Sequence, residues 1–159
     1  MEEAFPGDIV GLVNAGALRP GDSLYADDRV VFPAIPSFAP EHFAVVRGRD
    51  AGKYKQFRRG IEQLDSEGVI QVLTSDLRGD QAPVLAAVGP LQFDVLASRI
   101  EQEYSLPVRF EPTQFTSARW VSGPRDKVEE FARANRGHMA EDHDGDPVYM
   151  TRLQWDIDR

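Results

Sequence analysis

Between residues 43 and 112, β-rich runs and helical periodicity alternate in one order, and that order constrains the fold of this 159-residue chain more than any other feature. FAVVRGR (43–49) has the character of a strand, and Asp50 follows it as a side chain able to cap a helix. Tyr54, Phe57, Ile61 and Leu64 then recur at the three-and-four spacing of one buried helix face. Gly68 suits the exit of that helix, where a left-handed residue is needed. VIQVLT (69–74) and APVLAAVG (82–89) read as two strands joined through the turn-rich SDLRGDQ. The stretch AVGPLQFDVLASRIEQEY (87–104) carries a second helix, with Pro90 at its first position, where a missing N–H costs nothing. PVRFEP (107–112) is the fourth strand. The order β-α-β-β-α-β predicts an α+β fold: a ferredoxin-like split β-α-β arrangement, with two helices covering one face of an antiparallel sheet.

An added β-α-β unit is expected beyond it: a strand at SARWVS (117–122), a helix from Pro124 to about Asn135 with Val128, Phe131 and Ala132 inward, and a long strand PVYMTRLQWDI (147–157). Residues 1–37 differ in kind. They show no helical periodicity; DIVGLV (8–13) and VVFPAI (30–35) are β-rich runs punctuated by Pro6-Gly7, Pro20-Gly21, Asp27-Asp28 and Pro36. This part is expected to be a remnant of a β-barrel, with PSFAPEH as the linker, which divides the chain into domains at 1–37 and 38–159. Unpaired strand edges in the remnant invite self-association.

Several chemistries are excluded by what the chain lacks. It has no cysteine, so disulfides, thiolate metal sites and cysteine nucleophiles do not arise. The strand-to-helix turn at Gly89-Pro90 stands where many nucleotide-binding proteins carry a phosphate loop, but one glycine without Gly-Lys-Ser/Thr is no phosphate cradle. In that helix Leu91, Phe93, Val95, Leu96, Ala97, Ile100 and Tyr104 form a stripe too wide for a surface helix, so most of the segment is expected in the core. HMAEDHDGDP (138–147) gathers His138, Glu141, Asp142, His143, Asp144 and Asp146; counted from Asp142, the positions where an EF-hand needs glycine and glutamate hold Pro147 and Leu153. A solvated acidic loop is the expectation there. There is no Gly-x-Ser-x-Gly, and His42, His138 and His143 have no Ser or Asp partner by sequence logic. No catalytic, cofactor-binding or metal-binding residue is therefore assigned. No apolar run approaches the roughly 18 residues of a membrane span, and MEEAFPGDIV lacks the pattern of a signal peptide. The expected compartment is the cytoplasm, with no membrane partner.

A formal charge of −8 argues against wholesale binding to nucleic acid. One segment reverses that sign. RGRDAGKYKQFRR (47–59) holds Arg47, Arg49, Lys53, Lys55, Arg58 and Arg59 against Asp50 alone. Two readings stand: a solvated helix face opposite Tyr54, Phe57 and Ile61, or a docking surface for RNA or an acidic protein.

The residues also carry a resemblance. AFPGDIVGL followed by RPGDSLY (19–25) resembles the end of the second, β-barrel domain of translational GTPases. AAVGPLQFDVLASRIEQEYSLPVRFEP and SARWV resemble the domain that follows in the bacterial class II peptide chain release factor family, release factor three, and FAPEHF (38–43) and KYKQFRRGIEQLDSEGVIQVL fit it as well. Elongation factor G has a related third domain, but its equivalent stretch typically carries Glu-Leu-His, absent here. The resemblance implies a GTPase that binds the ribosome, through ribosomal protein and rRNA, and promotes recycling of the codon-reading release factors. This chain contains neither Gly-x-x-x-x-Gly-Lys-Ser/Thr nor Asn-Lys-x-Asp. It is therefore expected to be a carboxy-terminal fragment that docks on the ribosome and is not itself an enzyme, with GTP and magnesium held by a missing domain and no cofactor of its own. Two other classes remain open: a small-molecule-sensing regulatory domain and a metal enzyme using the acidic loop.

Overall fold

A computed structural model of the chain describes residues 3–18, 20–33, 38–79 and 82–153. The chain divides into two compact units, Met1–Ile35 and Pro36–Arg159.

The first unit is built of turns. Phe5 and Asp8 close one across Pro6-Gly7, with Asp8 N–H donating to Phe5 C=O at 2.9 Å and Gly7 at φ 100°, a value only glycine adopts at low cost. The β-rich runs 8–13 and 30–33 form no strand among the described residues, and positions 34 and 35 of the second run lie outside them. That differs from the sequence expectation of barrel strands, for a physical reason: an extended segment becomes a strand only when a neighbour takes its backbone groups. Ile9, Val13 and Val31 are 98%, 89% and 73% exposed.

The second unit is an α+β structure with antiparallel sheets. Its elements are β1 (His42–Gly48), α1 (Tyr54–Ser66), β2 (Gln71–Leu73), β3 (Val84–Ala87), α2 (Leu91–Tyr104), β4 (Val108–Pro112), β5 (Ser117–Trp120), α3 (Arg125–Ala134), β6 (Met139–Glu141) and β7 (Pro147–Thr151). One sheet runs β2-β3-β1-β4 with every pair antiparallel; β1 sets its register through His42 opposite Ala87 and Val46 opposite Phe110. A second runs β5-β7-β6, and Thr74 bridges to Glu141 through two backbone hydrogen bonds of 2.8 and 2.9 Å.

Strand alternation sorts the core into two layers. Val46, Val72 and Leu85 face α1 and α2, where they meet Phe57, Ile61, Leu64, Leu96 and Ile100. Their neighbours Val45, Leu73, Val84 and Ala86 face the second sheet and meet Ala118, Ala140, Val148 and Met150. β3 is thus buried on both faces and reads as an unbroken apolar run. α3 is attached more lightly: Val128 and Ala132 are half-buried, and Phe131, expected inward, is 38% exposed, its ring 5.3 Å from that of Tyr149.

Three further expectations are corrected. The added unit is β-α-β-β: Met139–Glu141, inside the segment read as a solvated loop, pairs with β7, because a neighbouring strand can recruit three residues of poor β propensity. The β7 ladder ends at Thr151, and 154–157 of the expected long strand lie outside the described residues. In α2 the core takes only Leu96 and Ile100 fully, while Leu91 and Val95 are 73% and 47% exposed. The wide stripe spans the inner face and the outer face of one helix.

Candidate functional site

The six cations of segment 47–59 are distributed over three local structures. Arg47 sits near the end of β1, opposite Arg109 on β4, and its Nε donates to Glu111 Oε2 at 3.0 Å; Arg109 Nη2 lies 3.0 Å from the other oxygen. The Arg47 hydrogen bond, aided by the charge of both guanidiniums, outweighs desolvation and holds the Glu111 carboxyl below the usual range. Arg49 follows β1 with its side chain exposed, and its N–H donates to Pro107 C=O at 3.1 Å. Asp50 caps as expected, though what it caps first is a single 3-10 turn, Ala51–Lys53: its Oδ1 accepts from Gly52 N–H at 2.8 Å, and α1 continues from there. Lys53 Nζ reaches Ser105 C=O at 3.4 Å. Ser105 is the left-handed residue that ends α2, so this cation stands at the negative end of a helix.

Lys55, Arg58 and Arg59 are exposed on α1. At about 100° per residue they cluster on the face opposite Phe57, Gly60, Ile61 and Leu64, which are buried. Arg58 Nε donates to Glu62 Oε1 one turn on, at 2.6 Å. The structure therefore gathers Lys55, Arg58 and Arg59 on one helix face, and ties Arg47 into the sheet. Glu111, 64 residues from Arg47, has no signal in the sequence as its partner.

The turn before α2 explains why no phosphate loop is found there. Gln92 Oε1 accepts from Val88 N–H at 2.8 Å and Gly89 N–H at 3.0 Å, and Gln92 Nε2 donates to Val69 C=O at 2.8 Å. The amides that a phosphate loop would turn towards an anion are taken by a side chain of the same helix, which also holds the start of α2 to the segment leading into β2. Replacing Gln92 with Ala leaves two partly buried backbone groups, Gly89 N–H and Val69 C=O, and the exposed Val88 N–H to water, and should lower unfolding free energy by about 1–2 kcal/mol in urea titration.

The acidic segment is organised around one carboxylate. Asp142 Oδ1 accepts from Asp144 N–H at 3.0 Å and Asp146 N–H at 2.9 Å, and Asp142 Oδ2 accepts from Trp120 Nε1 at 2.7 Å. Burial pushes the Asp142 carboxyl up, but the Trp120 indole, the two backbone N–H groups and nearby His143 together bring it below the usual range. His143, without a partner by sequence logic, lies between two carboxylates: Nδ1 is 3.6 Å from Asp65 Oδ2 and Nε2 is 3.1 Å from Asp144 Oδ2. Among the described residues no three His, Asp or Glu side chains converge as metal ligands. A cleft of about 500 Å³ opens between the β2–β3 connection, α3 and β6, walled by Ser75, Asp76, Leu77, Arg133, Arg136 and Met139. No helix of the described residues is long and apolar enough to cross a membrane.

The family described as "Class II release factor RF3, C-terminal domain" matches residues 32–159. Among curated proteins, the chain is similar to peptide chain release factor 3 of Synechocystis sp., at 38% identity over 156 residues, 98% of this chain and 28% of that protein. It is similar also to peptide chain release factor 3 of Symbiobacterium thermophilum, at 44% over 156 residues, 98% of this chain and 29% of that protein. The chain spans less than a third of the length of these relatives.

Proposed function

The chain belongs to the class II release factor RF3 C-terminal domain family, and from that premise we propose that it is the ribosome-docking carboxy-terminal region of a translation-termination GTPase. In the cytoplasm that protein promotes release and recycling of codon-reading release factors. The family match over 32–159 carries this reading, and the exposed cationic face of α1, on a chain of net charge −8, supports docking through the 47–59 segment. Residues 1–37 are assigned to the end of the β-barrel domain and 38–159 to the α+β domain; the division between the two compact units near residue 35 is in keeping with that. The strand order β2-β3-β1-β4, antiparallel throughout, favours a ferredoxin-like arrangement for the first sheet and its two helices.

Catalysis is not assigned to this chain. Its residues do not fit GTP, because the phosphate-loop and base-recognition motifs are missing from the sequence and Gln92 occupies the amides at the start of α2. GTP and magnesium are assigned to the length of the relatives that this chain does not span. The exposed apolar side chains of the first unit favour self-association, which sedimentation would show as a dimer or larger species.

Co-sedimentation of the chain with purified bacterial ribosomes tests the docking role. The chain should pellet with ribosomes at low salt and be released as salt rises; its absence from the pellet at low salt would sink the reading. Calorimetric titration with GTP and magnesium should show no binding heat. A second reading, a small-molecule-sensing regulatory domain, rests on the cleft of about 500 Å³, which lies in the size range of ligand pockets. A rise in melting temperature with a metabolite, and no ribosome binding, would favour it.

A further inference from the structure

The six cations of segment 47–59 are not equivalent. Three are engaged within the protein: Arg47 with Glu111 at 3.0 Å, Lys53 with Ser105 C=O at 3.4 Å, and Arg58 with Glu62 at 2.6 Å. Among the described residues Arg49, Lys55 and Arg59 have no side-chain partner, and all three are exposed. Their backbones are nonetheless fixed. Arg49 N–H is held by Pro107 C=O, and Lys55 and Arg59 stand one turn apart on a helix anchored by Phe57, Ile61 and Leu64, about 6 Å along its axis.

The surroundings of these three discriminate between partners. Among the described residues from 39 to 76 no large apolar side chain is exposed, since Phe38 and Leu77 are the nearest in sequence. A protein partner would need a desolvated apolar anchor at the centre of its footprint, and this segment exposes none. Single-stranded RNA would need exposed rings on which bases stack; Tyr54 is half-buried and Phe57 is 2% exposed. Fixed cations without anchors or stacking platforms match a backbone of regularly spaced phosphates. Resting on the docking reading above, we infer that Arg49, Lys55 and Arg59 bind the phosphodiester backbone of structured, base-paired RNA, while Arg47, Lys53 and Arg58 chiefly hold the fold.

The test compares two triple variants of this chain, Arg49→Gln/Lys55→Gln/Arg59→Gln and Arg47→Gln/Lys53→Gln/Arg58→Gln, each checked for folding by its melting temperature. Affinity is measured over a salt series for purified small ribosomal subunits, a short RNA duplex, single-stranded poly(U) and poly-glutamate. The first triple should weaken binding to subunits and duplex and reduce the slope of log affinity against log salt by up to about three units, roughly one for each lost phosphate contact. The second should reduce it by less than about one unit. Equal losses from both would overturn the division of the six cations and leave docking by the segment standing. Subunit binding that depends on the first triple, with poly-glutamate or poly(U) preferred to the duplex, would overturn the base-paired RNA partner. If neither triple changes subunit binding, docking by this segment fails, and this inference with it.

Discussion

Gly60→Leu should cost the chain about 3 kcal/mol of unfolding free energy, the upper end of what overpacking does. Gly60 lies on the buried face of α1, against α2. A Cβ built there would stand 2.8 Å from Ile100 Cδ1 and 3.2 Å from two ring carbons of Tyr104. Neither neighbour can give way cheaply: Ile100 is fully buried, and the Tyr104 hydroxyl donates to Gln63 Oε1 on α1. The opposing effect is helix propensity, since glycine inside a helix is about 1 kcal/mol worse than alanine. For Gly60→Ala the two effects are of similar size and the net change should be within about 1 kcal/mol. For leucine the added volume has no space to occupy, and the clash wins. Urea unfolding followed by circular dichroism distinguishes the two; a leucine variant as stable as the parent would mean that α1 and α2 do not approach this closely.

That glycine shows where sequence reading stops. The buried face of α1 was legible because Tyr54, Phe57, Ile61 and Leu64 repeat at helical spacing, and Asp50 and Gly68 mark its ends by local chemistry. Gly60 lies on the same face, but its role depends on Ile100, forty positions away, and nothing local reports that distance. β6 carries no local signal, because three residues in an acidic run take their extended shape from β7, a partner supplied by the fold. The α2 stripe misled for a different reason. Periodicity counts apolar residues around a helix and cannot tell an inner face from an exposed outer one, so it predicts Leu91 and Val95, which the structure exposes, in the core with Leu96 and Ile100. In the candidate site the sign reversal of 47–59 is plain in the sequence, and so is the helical grouping of Lys55, Arg58 and Arg59. The engagement of Arg47 and Lys53 is not, because Glu111 and Ser105 reach them only through the β1–β4 pairing and the end of α2.

Asp142→Ala is expected to cost about 3 kcal/mol at neutral pH, more than the Gln92 variant, because its three donors address a charge. The Trp120 indole and the N–H groups of Asp144 and Asp146 lose one common acceptor, so the turn between β6 and β7 keeps only its backbone hydrogen bonds, Asp142 N–H to Asp146 C=O and Gly145 N–H to Asp142 C=O, and loses its side-chain tie to Trp120 on β5. Asp142→Asn separates shape from charge: one amide oxygen can still accept, but the NH2 group must meet another donor. The pH dependence follows from the depressed carboxyl, whose folded value lies below its unfolded one. Such a group stabilises the fold fully above the ordinary aspartate range, near pH 4, and the stabilisation is lost as pH falls through the folded value. The parent should therefore exceed Asp142→Asn in stability at pH 5 and above, and the margin should close below about pH 4. Other carboxylates titrate in the same window, including Glu111 and Glu67, which Arg47 and Arg99 hold low, but they do so in both proteins and cancel in the difference. Urea unfolding of the two proteins at matched pH reads that difference. A margin that persists unchanged to pH 3 would show that the Asp142 charge does not hold the turn, and would leave its shape as the cause.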